Sequence, residues 1–246
     1  MDKMLYTATN SARQASQAQT AISHNLSNAS TTGFKSHFNT FTSWHVSGPG
    51  YNTRVMNQQD ADSIDLTSGS LSTTDRELDV AVNGDGFIAV QNKEGGEAYT
   101  RAGDFRVDNT GRLTTGAGFA VLGNGGPITI PPAEKLDIGS DGSISIVPVG
   151  QSAESLVIVD RIKLVNPNTQ NLQKDADGLL QLSGGGVAPV AAEVKLENGV
   201  LERSNVNAVG QMIQLISNAR QFEASINMMK EAKTLDEASA SLLRIS

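Results

Sequence analysis

The sequence predicts an α+β chain in which two terminal helices pair with each other and a mainly-β segment is inserted between them. Three observations carry that prediction. Apolar residues at the N-terminus recur every 3.5 residues, Gly, Asp and Asn turns interrupt short apolar runs through the middle, and helical spacing resumes near Asn205.

Residues 1–32 form the first helix. Met1, Leu5, Ala8, Ala12, Ala15, Ile22, Leu26 and Ala29 make a narrow seam in which Gln19 fills one skipped position. Half of that seam is alanine, which permits close helix approach and buries little area. Gly33 is the expected helix stop, with Asn28 to Thr32 as the fraying end. Residues 33–77 read as an extended connector with some strand. They carry Phe34, Phe38, Phe41 and Trp44, an aromatic cluster in a chain only 4% aromatic, followed by the breaker run SGPGYNTR.

Residues 78–203 read as β. LDVAVNGDGFIAVQ alternates around Gly84-Asp85-Gly86, a tight turn or bulge, and Asp108 to Gly111 separates two further short strands. PITIPP, LDIGSDGSISIV, LVIVDRIKLV, GLLQLSG and EVKLENGVLERS continue the pattern, which predicts a sandwich or barrel-like domain. Residues 204–246 form the second helix, with Ser204 or Asn205 as N-cap. Val209, Met212, Ile213, Ile216, Ala219, Phe222, Ile226, Met229, Leu235, Ala238, Leu242 and Ile245 recur mostly three or four apart, with no Pro or Gly after Gly210. Such a helix extends roughly 50 Å.

A buried CH₂ contributes only about 0.8 kcal/mol, so a pair sealed by alanine methyls is thinly buried. The spacing therefore predicts that other subunits complete it. The ordinary alternative is a core helix packed on the β domain.

Composition narrows the function. Lys+Arg 19 against Asp+Glu 26 gives a net charge of -7, without the basic face of a nucleic-acid binder. The absence of Cys excludes disulfides, thiol catalysis and thiolate metal sites. No run approaches the apolar length of a membrane span, and the N-terminal stretch has no signal-peptide core, so Sec-type export is not expected.

Chemical motifs are sparse. His24, His37 and His45 lack metal-ligand spacing, and no nucleophile elbow, zinc-protease or phosphate-loop pattern occurs. Asp108 to Gly111, Asp141-Gly142 and Asp175 to Gly178 resemble fragments of calcium loops without the closing bidentate Glu, and hairpin turns explain them more simply. Asn25-Leu26-Ser27 and Asn28-Ala29-Ser30 match the glycosylation pattern by chance. Glu77, Asp79, Asp85, Glu94 and Asp104 are scattered, and nothing in their spacing favours a glycosidase pair. No catalytic residue, cofactor, metal or small-molecule substrate is expected.

Taken together, several blocks resemble those of bacterial flagellar rod and hook proteins. SHNLSNASTTGFKS is similar to the family signature N-N-L-A-N-x-x-T-x-G-F-K through Asn25, Leu26, Asn28, Thr32, Gly33, Phe34 and Lys35, with His24 and Ser27 replacing an Asn and an Ala. LDVAVNGDGFIAV resembles L-D-x-A-I-x-G-x-G-F-F-x-V, and YTRAGDFRVDNTGRLTTGAGFAVLG resembles the block that follows it. LERSNVNAVGQMIQLISNARQFEAS resembles the family's L-E-x-S-N-V motif and its helix through Leu201, Glu202, Ser204, Asn205 and Val206. The start and the ending look most like a proximal-rod subunit adjoining the distal rod.

The resemblance implies a non-enzymatic structural subunit of the basal-body rod within the periplasm. Both helices would form an inner layer, with the connector and an outer β domain around it. Such a subunit passes through flagellar type III export, then transmits torque and lines the export channel. Its implied partners are copies of itself, other proximal-rod proteins, the distal-rod protein and, during secretion, the export apparatus. Met1, Leu5, Ile22, Leu26, Asn28, Phe34, Phe38, Trp44, Ile213, Ile216, Phe222, Ile226, Leu242 and Ile245 are the expected subunit-interface residues. Other rod or hook paralogues, a glycan- or protein-binding β module with oligomerising helices, and a peptidoglycan-active enzyme are the alternatives.

Overall fold

The computed structural model describes residues 2–45, 55–150, 156–175 and 177–245. Helix α1 (Asp2–Ser27) opens the chain and α2 (Ala208–Ile245) closes it, with strands between them. The fold is α+β, and it divides into two compact units. Residues 1–29, 36–65 and 206–246 form a helical unit, and residues 30–35 and 66–205 form a β unit.

In the helical unit, α1 packs along α2. The Asn218 amide donates to the Ala15 carbonyl at 2.6 Å, and the Thr9 hydroxyl lies 3.4 Å from the Met229 sulfur. Partners that rise along one helix as they fall along the other make the pair antiparallel. On α1 the buried residues Ala8, Ala12 and Ala15 belong to the stripe the spacing marks out; on α2 the buried residues are Ser225 and Ala232, outside the stripe read from the sequence, whose Val209, Met212, Ile213, Ile216 and Leu235 are exposed.

The helix ends differ from expectation. α1 stops at Ser27, before Gly33, and side chains compete for a carbonyl of its last turn: Ser27 Oγ and Asn28 Nδ2 both donate to the His24 carbonyl at 2.9 Å, beside the Asn28 amide at 3.3 Å. The cap of α2 is Asn207, not Ser204 or Asn205. Its Oδ1 accepts from the Gly210 amide at 3.1 Å, and the first helical bond runs from Gln211 N–H to the Asn207 carbonyl.

Strands β1 (His37–His45) and β2 (Val55–Ile64) form an antiparallel ribbon with a register shift between Thr40 and Phe41. A two-stranded ribbon is marginal alone, and this one lies against α1. Asn25 makes the join. Its buried side chain donates to the His37 carbonyl at 2.6 Å and accepts from the His37 amide at 2.8 Å, acting as a strand partner from a helix end. Residues 46–54, which include the breaker run, lie outside the described residues.

The β unit contains β3 (Leu71–Thr73), β4 (Val80–Asn83), β5 (Phe87–Gln91), β6 (Glu97–Thr100), β7 (Phe105–Val107), β8 (Leu113–Thr115), β9 (Ala133–Ile138) and β10 (Ser143–Pro148). It continues with β11 (Val157–Arg161), β12 (Leu164–Val165), β13 (Leu172–Lys174), β14 (Leu180–Leu182), β15 (Lys195–Asn198) and β16 (Val200–Glu202). Where the spacing predicts a sandwich or barrel-like domain, the strands sort into several small sheets. A five-stranded sheet in the order β12-β5-β6-β14-β13 and a three-stranded β11-β10-β9 are joined by the pairs β15–β4, β16–β3 and β7–β8. The strands are too short to build broad layers, so several small sheets surround one largely aliphatic core that includes Val80, Ile88, Phe105, Leu113, Ile138 and Ile144.

Gly84-Asp85-Gly86 is a corner between sheets and closes no hairpin, since β4 pairs with β15 while β5 pairs with β6 and β12. Asp108 and Asp141 do close hairpins. Their carboxylates accept from the Thr110 and Ser143 hydroxyls and nearby amides, which holds both below the usual carboxylate range. Pairing of β3 with β16 places the first and last strands of the unit side by side, so the chain leaves the β unit where it came in.

Candidate assembly site

Two sequence blocks far apart in the chain meet inside the β unit. The Gly33 amide donates to the Glu202 carbonyl at 2.7 Å, so the chain preceding the strands lies on the end of β16. Gly33 has φ +65, and a Cβ there would sit 2.3 Å from the Arg101 and Ala102 backbone. Only glycine fits that approach.

The Glu202 side chain, 1% exposed, organises the junction. Oε1 accepts from Lys35 Nζ at 2.7 Å and from the Gly69 amide at 2.8 Å, while Oε2 accepts from Arg101 Nη1 at 3.1 Å. Lys35 also donates to the Thr67 carbonyl at 2.7 Å, and Arg101 Nη2 to the Gly84 carbonyl at 2.8 Å. A carboxylate taken out of water is tolerated only when its oxygens are bonded and its charge is met. Here one carboxylate serves two buried cations and ties five segments together. Lys35 and Glu202 stand in separate sequence motifs with nothing local to pair them, and Arg101 carries no local mark of its role. The available signal was a charged residue fixed inside each of two otherwise apolar or turn-forming blocks.

Phe34, one of the expected interface residues, is covered by its own chain. It is buried within its own β unit, with Lys174 Nζ 3.8 Å above its ring and donating to the Lys35 carbonyl at 3.1 Å. Burial pushes the Lys174 ammonium from 10.5 down to about 8, while the ring and the carbonyl favour its charge. In the unfolded chain Lys174 holds its proton through the ordinary lysine range. The unfolded state therefore binds more proton between about pH 8 and 10.5, and stability rises with pH across that window. Tyr99, pushed up to about 12 by burial, acts in the opposite sense above pH 10. Urea midpoints taken between about pH 8 and pH 10 should thus climb with pH in the parent, and this climb should be lost in Lys174→Met.

The other expected interface residues divide into open and half-covered positions. Leu5, Phe38, Trp44, Ile213 and Ile216 are exposed. Ile22, Leu26, Phe222 and Ile226 are half-buried, and Asn28 is half-buried with its amide on the His24 carbonyl. Met1 falls outside the described residues, and only the backbone is described at Leu242 and Ile245.

The same blocks match known families. Residues 5–35 match the flagella basal body rod protein family, residues 81–146 the D1 domain of the flagellar hook protein FlgE/F/G family, and residues 197–242 the C-terminal region of the flagellar basal body rod FlgEFG proteins. The chain is 38% identical over 235 residues to the flagellar basal-body rod protein FlgF of Escherichia coli, covering 93% of each chain. It is also 38% identical to FlgF of Salmonella typhimurium, over 96% of this chain and 95% of that one. The chain belongs to the flagellar rod and hook family. Within that family it is of the FlgF, proximal-rod type and has the character of a structural subunit of the basal body. The FlgG rod protein of Bacillus subtilis is 34% identical over 83% of this chain and 85% of its own. The junction joins two of these regions, because Lys35 ends the first match and Glu202 lies in the third.

Proposed function

We propose that this rod-family protein is a non-enzymatic subunit of the proximal rod that reaches the periplasm through flagellar type III export. Once there it assembles with copies of itself, other proximal-rod proteins and the distal-rod protein. α1 and α2 form a coiled-coil-like inner layer that lines the export channel, and the β unit forms the outer body. Torque passes through many small contacts, and heterologous contacts that do not close into a ring generate a helical shaft.

One observation carries this reading. α2 keeps Ile213 and Ile216 in solvent although α1 already lies along it. A long helix apolar on a face that its own chain leaves open needs a partner to seal it. Ile213→Asp together with Ile216→Asp is expected to abolish swimming and intact basal bodies while the urea midpoint of the β unit stays unchanged. Swimming at the parental rate would contradict the reading.

A further inference from the structure

The last strands of the β unit hold its first ones. Among the described residues β3 pairs in a sheet only with β16, and β4 only with β15. The same closing stretch reaches further back. The Leu196 amide donates to the Ser140 carbonyl at 2.9 Å and the Gly199 amide to the Asp79 carbonyl at 2.8 Å, while the Gly199 carbonyl accepts from the Thr74 amide at 2.8 Å. The Asn198 side-chain amide donates to the Ile138 carbonyl. Val194 and Leu196 are buried in the main core, and a Val194 methyl sits 2.7 Å from where a Cβ on Gly86 would be, against the corner between β4 and β5.

Glu202 adds the charge term. Its partners Lys35, Gly69 and Arg101 lie 167, 133 and 101 residues earlier in the chain, and Ile138 lies 60 residues before Asn198. Contacts this distant form only after long loops are closed, at an entropic cost that short-range pairing does not carry. The five-stranded sheet and the β7–β8 and β9–β10 pairings all lie ahead of residue 194. A hairpin alone is marginal in water, and the core these strands share is the one Val194 and Leu196 complete. A chain ending before them has β3 and β4 unpaired, that core open, and Lys35 and Arg101 to bury without their carboxylate.

We infer that residues 194–202 are a closing segment without which the β unit has no stable fold, an inference that rests on the export reading above for its use. A chain is made from its N-terminus. The segment is therefore the last part of the β unit to become available, and everything ahead of it stays unfolded until it docks. A chain that has to be threaded through a channel gains from this order: the outer body cannot close while its last strands are still to come, and it closes cooperatively once they arrive.

Hydrogen exchange of the intact folded chain in rising, sub-denaturing urea, read by mass spectrometry of its peptides, tests this directly. Peptides covering residues 80–91, 97–101 and 195–202 should open together, with one urea dependence. Leu196→Ala should speed exchange in all three by the same factor, roughly tenfold or more. Val200→Ala removes less of the core and gives the same comparison should the first variant not fold. An opening that exposes residues 195–202 while residues 80–91 stay protected, or a variant that speeds exchange in residues 195–202 alone, would overturn the inference. The measurement involves neither export nor assembly, so that outcome leaves the rod reading standing, and loss of the rod reading would leave the closing segment in place.

Discussion

A chain lacking residues 1–29 should fold its β unit and fail completely to enter the rod. The deletion removes α1 and stops at the boundary of the β unit, which begins at Ser30. Gly33, Lys35, Arg101 and Glu202 are all retained, so the buried junction and the aliphatic core stay intact. α2 loses the alanine seam that covers one of its faces and then exposes apolar surface on two sides. Isolated helices depend on tertiary packing for most of their stability, so α2 is expected to lose helicity. Far-UV circular dichroism would show lost helix, the urea transition of the β unit would persist, and cells carrying only this variant would not swim. Swimming cells would place the assembly contacts elsewhere in the chain.

The second large effect lies inside the β unit. Glu202→Gln keeps the shape of the side chain and removes its charge, leaving the Lys35 and Arg101 cations buried at 3% exposure each without a counter-charge. Breaking a buried pair from one side costs about 3–5 kcal/mol, a large share of the stability of an ordinary domain. Replacing the three residues together, Lys35→Met with Arg101→Met and Glu202→Leu, should recover part of that loss, since no buried charge is then left alone. Recovery stays incomplete because the Gly69 amide loses its carboxylate acceptor, the Gly84 carbonyl loses the Arg101 donor and the Thr67 carbonyl, which keeps Asn205 Nδ2, loses the Lys35 donor. Urea denaturation of the three proteins gives the order parent, triple variant, Glu202→Gln. A single variant as stable as the parent would remove the junction from the account.

Much of this architecture is local enough to read from the chain. The alanine seam, the terminal helices and the hairpin turns at Asp108 and Asp141 depend on residues within a few positions of one another. Ser204, Asn205 and Asn207 are all good caps, so the sequence does not select among them, and the helix start is settled by which one faces the Gly210 amide. Gly33 looked like a helix stop because glycine often is one. Its actual constraint comes from the Arg101 backbone, distant in sequence. The partnership of Glu202 with Lys35 and Arg101 is likewise non-local, as is the burial of Phe34 beneath Lys174. Short strands do not reveal their neighbours, so the spacing leaves sandwich and barrel open and does not show the several small sheets the chain builds.

The central claim is that the apolar edge left open on the helical unit is sealed by adjacent molecules. A reconstruction of the intact basal body at side-chain resolution tests it most directly. The account predicts Ile213 and Ile216 buried against a helix of a neighbouring subunit. Finding both still in solvent, or covered by the β unit of their own chain, would contradict it.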